Sequence, residues 1–569
     1  LECFEKGRSH VTWVTNALLA MFLCLATSVA SHPAKAEEDK IGSAELFLSL
    51  VGDDIIVTVI LSRPVTSLRL DQADVIRDDA LRLETPGLTF ANDVISSQMP
   101  FTRATFRLVE DLSERDAKYP PYYRIGQGRL IHSQAIYPDQ TQWNIKLAPL
   151  SLPNQWVRWP QEPLPQGYLF ICPAAMIEDH AGARFVFDEN VTEEGRAAVR
   201  DTVTKSVAFL SEIFGSSPPA TPFIATSVIS AERDSNVGDV TSSAMVALRF
   251  FGSARDPSSR NALASTRALI LHEGVHFWNG GLARFAPTAP QWLHEGGAEY
   301  IAALGSYRLG WTKREDLEQR IGDWFDRCAT SLSYSNEPAL DDLKFLNASL
   351  RYSCGPLLHT LIELYLAENN ADRTITDVWR ETVRQAAASD GEYDLTEFLA
   401  AAGDHALLRR PALEAILTTS GGERWEVVRE EMNRLGVQVE RHSSPSLRAR
   451  SALMHMIEVQ CTDLRPSQGY GFYTGEESYR LDTPEGCGVL SGSPVVKTLE
   501  GRSIVHLSTA DYSHFQERCA RGHLINFGLT DETVIAVPCT RHLPDAATQP
   551  IVTSLPAIPA FSHSHTLSR

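Results

Sequence analysis

The segment His272-Glu273-Gly274-Val275-His276 sets two imidazoles four positions apart with a carboxylate between them. On an α-helix, positions i and i+4 share a face one turn apart, so both rings reach one ion. Imidazoles at this spacing suit Zn2+. The glutamate between them points to the space beside the metal where a water would bind, and reads as the base that takes that water's proton. A catalytic zinc takes three protein ligands and keeps a fourth position open. Glu295, separated from His276 by eighteen residues, reads as the third ligand. Glu299 lies one turn further along the same face. It reads either as the acceptor for the free N–H of a ligand histidine or as an ordinary solvated or helix-pairing glutamate. His294 is a rival ligand, but neighbours on a helix diverge, so only one of His294 and Glu295 faces the metal. The competing reading of the first motif is a surface helix with two incidental histidines.

These residues need two helices to hold them. Ser258 or Ser259 can cap the first, and Gly280-Gly281 supplies a stop. Leu263, Ala264 and Ala268 to Leu271 are its apolar positions, and Arg267 is expected to face solvent. A second helix follows Pro287 and Pro290 and carries Gln291 to Tyr300. Upstream, Phe185 to Phe187, Phe223 to Ile229 and Ala244 to Phe250 read as strands, with helical spacing from Glu193 to Phe214. From Ile41 to about Pro173 the pattern is mostly strand-like; from Ser258 to about Leu435 helices dominate; from Ser451 to Cys539 strands return. The tail from Pro544 is rich in Pro, Ser and Thr and reads as disordered. The order predicts an α+β protein.

The chain has 569 residues, too many for one core, and a formal charge of −19. That charge argues against a nucleic-acid or anionic-membrane binder, both of which need a basic surface. Lys6, Arg8 and His10 precede the apolar run Ala17 to Ala26, and Ser28-Val29-Ala30 and Ala34-Lys35-Ala36 offer cleavage sites. This is the order of a secretory signal, with a membrane anchor as the alternative. No later run is long and apolar enough to span a bilayer, so no stable membrane insertion is expected after signal removal, and a secreted or periplasmic protein is. Seven cysteines lie beyond the signal, four of them Cys461, Cys487, Cys519 and Cys539. An oxidising compartment would pair these four among themselves, in any of three connectivities. Cys328 and Cys354 make a further candidate pair, leaving Cys172 odd.

Between Met245 and His359, about 115 residues, the chain resembles the gluzincin metallopeptidases, especially zinc aminopeptidases of the aminopeptidase N and leukotriene hydrolase type. There an H-E-x-x-H is followed, after eighteen residues, by the glutamate of W-L-N-E-G-F-A. Here Trp292 to Ala298 departs from that segment at His294 and Gly297. His276-Phe277-Trp278-Asn279 is similar to the glycyl aminopeptidases, whose second ligand histidine is followed by a W-N pair. Tyr352-Ser353-Cys354-Gly355 resembles their Y-x-x-G segment, whose tyrosine donates to the oxyanion; a core tyrosine is the other reading. His359 is assigned a capping or core role. The amine-gripping G-x-M-E-N of the aminopeptidases falls on Ser242 to Leu248, which keeps the methionine but lacks the glutamate, although the strand can still pair with a peptide backbone.

The resemblance implies Zn2+ on His272, His276 and Glu295, Glu273 as base, Tyr352 on the oxyanion, and a peptide or protein substrate. The pattern along the chain gives a signal peptide over 1–36 and an N-terminal β domain over 37–180, and the resemblance makes 181–310 a thermolysin-like zinc domain with a mixed sheet. A helical subdomain over 311–445, a disulfide-bearing β module over 446–543 and a disordered tail over 544–569 complete the expectation. The alternative function is a non-catalytic, zinc-stabilised peptide-binding scaffold on a peptidase fold.

Overall fold

The computed structural model describes residues 41–71, 81–109, 121–150, 156–160, 167–229, 235–241, 244–252, 256–334, 338–343, 348–370, 372–442, 445–461, 471–474, 477–483, 487–491, 494–539 and 549–561. The expected signal segment lies outside them.

The β-branched run at Ile55 belongs to a long strand, Asp54–Arg69, whose Ile55, Val57, Val59 and Leu61 point inward with period two. It pairs with Gly42–Val51 and Val94–Leu108 in a six-stranded sheet. A second, four-stranded sheet contains Gly128–His132 and Tyr168–Pro173. Ile131, Leu169 and Ile171 on one of its faces join the core of the first sheet. Leu130, Phe170 and Cys172 on the other pack against Val186, Phe223, Ala225, Met245 and Ala247 of a third sheet. Both faces are covered, which is why these strands are buried along their whole length.

The third sheet is mixed. Ala183–Phe187, Phe223–Ile229 and Met245–Phe251 run parallel, with Glu178–His180 antiparallel at one edge and Ser235–Thr241 antiparallel at the other. Its far face (Phe185, Ile224, Val246, Leu248) packs on helices. These are α1 (Glu193–Phe214), α2 (Arg260–His276), α3 (Gln291–Arg308), α4 (Arg314–Tyr334), α5 (Cys354–Asn369) and α6 (Ile375–Ala387). Thr192 caps α1 through the Gly195 N–H, and Thr374 and Asp377 form a reciprocal box at the start of α6.

Several expectations need correction. The Met245 strand is paired on both sides, so it cannot accept a peptide; the free edge belongs to Ser235–Thr241. The C-terminal module is not purely β: its six-stranded sheet carries the helices Pro445–Gln460 and Thr509–Ala520. The tail is not disordered over 549–561. Gln549–Ser554 pairs with Gln438–His442, and Val552, Leu555 and Phe561 are buried in the helical core. Pro, Ser and Thr dominate the tail's composition and hide these well-spaced apolar anchors.

Disulfides join Cys328 to Cys354, Cys461 to Cys487 and Cys519 to Cys539, while Cys172 is a buried free thiol. Among the described residues, no helix is long and apolar enough to cross a membrane.

Candidate metal centre

Helix α2 starts where Ser259 caps it by accepting from the Ala262 N–H. It does not stop at Gly280-Gly281. After His276 the chain widens into a π-helical turn, Phe277–Leu282, with Phe277, Trp278 and Asn279 buried. Arg267 does not simply face solvent; its guanidinium lies over the Trp311 ring, 5.1 Å from the centroid. The edge strand Ser235–Thr241 lies along α2, where Gly238 permits the approach. A Cβ there would meet Leu269 at 2.9 Å and the Glu273 Cγ at 3.1 Å. Glu273 is buried among these neighbours, on the turn between the two histidines.

Helix α3 brings Glu295 to the same place because two glycines let α3 and α5 touch backbone to backbone. A Cβ on Gly296 would lie 2.4 Å from the Gly355 Cα. That close approach also sets the turn containing Tyr352, three residues before Gly355, beside Glu295.

Three atoms then form a nearly equilateral triangle. His272 Nε2 is 3.3 Å from Glu295 Oε2, His276 Nε2 is 3.5 Å from the same oxygen, and the two Nε2 atoms are 3.4 Å apart. Zn–N and Zn–O bonds of about 2.0–2.1 Å give a tetrahedron with edges of about 3.3–3.4 Å. The set therefore fits one tetrahedral ion with a fourth corner free. Its atoms are too close to be ignored and badly aligned for each other: Glu295 Oε2 is buried without a hydrogen bond. The electrostatics agree. Burial works against charge on His272, yet Glu295 and then Glu299 outweigh it and hold its pKa up to about 10. Burial likewise opposes ionisation of Glu295, but His272 and His276 hold its carboxyl well below the usual range. Carboxylates gathered on the two histidines in this way make a site that favours positive charge.

Further polar groups surround the candidate ligands. His276 Nδ1 donates to Asn279 Oδ1 at 2.8 Å, which leaves its Nε2 lone pair for the metal. Asn279 Nδ2 in turn donates to the His294 carbonyl. His272 Nδ1 lies 3.3 Å from Glu299 Oε2, within ion-pair reach but off hydrogen-bond alignment. The other Glu299 oxygen accepts from Arg320 of α4 at 2.5 Å. Glu299 is thus neither solvated nor idle; burial opposes its charge, but His272 and Arg320 bring its pKa down to about 2. His294 turns away from the ligand triangle. Its Nδ1 hydrogen-bonds the Tyr393 hydroxyl at 2.7 Å, and its ring stacks on His276 with centroids 4.6 Å apart. Tyr352 has its ring 5.6 Å from that of His272. The residue is 40% exposed, yet desolvation of the hydroxyl, followed by Glu295 and Glu273, raises its pKa well above the ordinary phenol value. It stays a donor. His359 is a core residue, its Nδ1 on the Gly355 carbonyl at 2.9 Å and its ring stacked on Trp379.

Sequence reasoning did not single out Asn279, Arg320 or Tyr393. Asn279 was visible in the W-N pair that follows His276. Tyr393 lies 99 positions from its partner and Arg320 lies 21 positions from Glu299, so no local spacing marks either.

The helix pair with the candidate ligands lies beneath a mixed sheet, with a β domain packed on the sheet's other face. The particular likeness is to the crystal structure of an aminopeptidase N family protein from Idiomarina loihiensis, with a TM-score of 0.56 and 12% identity over 90% of this chain and 98% of that one. The structure of native yeast LTA4 hydrolase matches with a TM-score of 0.41 and 13% identity over 68% of this chain and 69% of that one. At such identity the first likeness is one of fold. No protein-family model matches the chain, and no curated protein sequence does.

Proposed function

We propose that this chain is an exported, zinc-dependent peptidase that hydrolyses peptide bonds with an activated water. The observation that carries the reading is the His272–His276–Glu295 triangle, whose edges match one tetrahedral ion, with a buried glutamate between the two histidines. A zinc ion bound there would polarise the scissile carbonyl and acidify a water. Glu273 takes the proton from the attacking water on its carboxylate and delivers it to the leaving amine. The Tyr352 hydroxyl donates to the oxygen on which negative charge develops. Glu299 and Asn279 hold the two imidazoles in register. The three disulfides suit an oxidising compartment, which supports export. A peptide or protein is the substrate, and nucleic acid is no partner of so acidic a chain.

The test is a mixed peptide library read by mass spectrometry, run with metal analysis on three proteins. Wild type should carry zinc near one per chain and cleave. His276→Ala should lose the zinc. Glu273→Gln should keep zinc while turnover falls by about 10²–10⁴-fold. Zinc binding without cleavage by wild type would instead favour the scaffold reading.

A further inference from the structure

Arg351 immediately precedes Tyr352, and its guanidinium carbon lies 5.8 Å from the centre of the Tyr352 ring. Its positive charge reaches Tyr352 and His294 alike, so it stands beside the ligand set. The other arginine close to the ligands, Arg320, is held on Glu299. Arg351 has no such partner: among the described residues no carboxylate lies within ion-pair distance of it, and its Nε is buried without a hydrogen bond. In a chain with 71 acidic and 52 basic residues, a half-buried arginine with no acid partner among the described residues is out of keeping with its surroundings. Only its Nε is closed off without a hydrogen bond, and the residue as a whole is partly exposed, so the fork can take an anion that arrives from outside.

Of the site's other fixed charges, Arg320 is held on Glu299, and Glu273 and Glu295 would repel an anionic peptide wherever no metal ion offsets them. A guanidinium answers that repulsion with a planar fork that matches a carboxylate. The distance is right for a group carried on the substrate. The Tyr352 ring is 5.6 Å from the His272 ring, and an extended peptide advances about 3.3 Å per residue. A carboxylate about two residues from the scissile bond therefore falls within reach of Arg351.

We propose that Arg351 recognises a carboxylate of the substrate, so that preferred peptides carry an acidic side chain or a free C-terminal carboxylate within about two residues of the cleaved bond. This rests on the peptidase reading. Two matched peptide pairs separate the sources: one pair exchanges Glu for Gln near the cleaved bond, the other exchanges a C-terminal acid for an amide. Wild type should favour the carboxylate member of one pair by tenfold or more in kcat/KM, and Arg351→Gln should bring that ratio close to one. Arg351→Lys should keep part of it, since charge remains but the fork is lost. The identity of the responding pair names the source. Ratios near one in wild type for both pairs would overturn the proposal. So would an Arg351→Gln protein that loses acid and amide substrates equally, since the arginine would then act on Tyr352. Calorimetry of the same peptides on zinc-loaded Glu273→Gln protein, with and without Arg351→Gln, reads the preference without turnover. If wild type cleaves no peptide, the peptidase reading fails, and the calorimetric ratio still decides whether Arg351 selects carboxylates.

Discussion

Asn279 accepts the Nδ1 proton of His276, which fixes the nitrogen that faces the candidate metal position, and donates to the His294 carbonyl. Asn279→Ala should weaken zinc binding by about 10–100-fold, read by competition with a chromophoric chelator. An unchanged affinity would mean that ring stacking on His294 orients His276 unaided. A second residue carries a pH signature. Glu363 is buried in α5, with one oxygen accepting from the Ile375 N–H at 2.9 Å and the other without a partner. Burial raises its pKa from 4.5 to about 7. A raised native pKa means the folded state binds the proton more tightly. The stabilisation is full below the unfolded pKa and is lost as pH rises through about 7. Glu363→Gln should therefore flatten the fall in Tm between about pH 4.5 and 7, measured on metal-stripped protein. At this scale the candidate ligands could be read from the sequence, because an i, i+4 histidine pair is a local pattern, and the fold brings them together with Glu295. Arg320 and Tyr393 were not, because what matters in them is proximity across 21 and 99 positions of chain.

Helix α3 meets α5 through Gly296 and Gly355 with no side chain between them. Gly296→Ala puts a methyl carbon 2.4 Å from a backbone atom, and no rotamer can move it away. The helices must separate, which costs about 1–3 kcal/mol of stability and displaces Tyr352 from Glu295. Loss of turnover with zinc retained, together with a lower Tm, is the expected outcome; a fully active variant would show that the spacing of the two helices is not critical. Helix identity was readable from periodicity and caps, and of the two candidates Ser258 and Ser259 it is Ser259 that caps α2. The strand beside α2 was misjudged for a physical reason. Met245–Phe251 and Ser235–Thr241 differ in how many neighbours they have, and pairing partners are long-range facts that strand composition does not encode. The π turn after His276 escaped for a related reason: Gly280 and Gly281 signal a break in either geometry.

Across the whole molecule, the segment 549–561 closes the helical domain. Arg314 donates to the carbonyls of Leu555 and Phe561, and Tyr307 of α3 donates to Phe561 at 3.2 Å. Burying Val552, Leu555 and Phe561 is worth about 1.5–3 kcal/mol each. A chain ending at residue 548 should melt at a distinctly lower temperature and be cut faster by an added protease; an unchanged Tm would make the segment dispensable. The α+β class and the order of strand-rich, helix-rich and cysteine-bearing regions could be read from texture alone. The tail could not, since a few apolar anchors in a Pro- and Ser-rich stretch look like linker until their docking partners are known. The pairing of Cys461 with Cys487 and Cys519 with Cys539 is one of three open choices that only the fold selects.

The clamp on α3 has a temporal side. Tyr307 and its partner Phe561 are 254 positions apart, and a ribosome makes the chain from the amino end. The helices that carry His272, His276 and Glu295 are thus synthesised long before the strand that seals their domain. A nascent chain carries the full set of candidate ligands on a scaffold still lacking its last brace. The candidate ligands therefore gain this brace only after the 254 residues that follow Tyr307 up to Phe561 have been added to the chain.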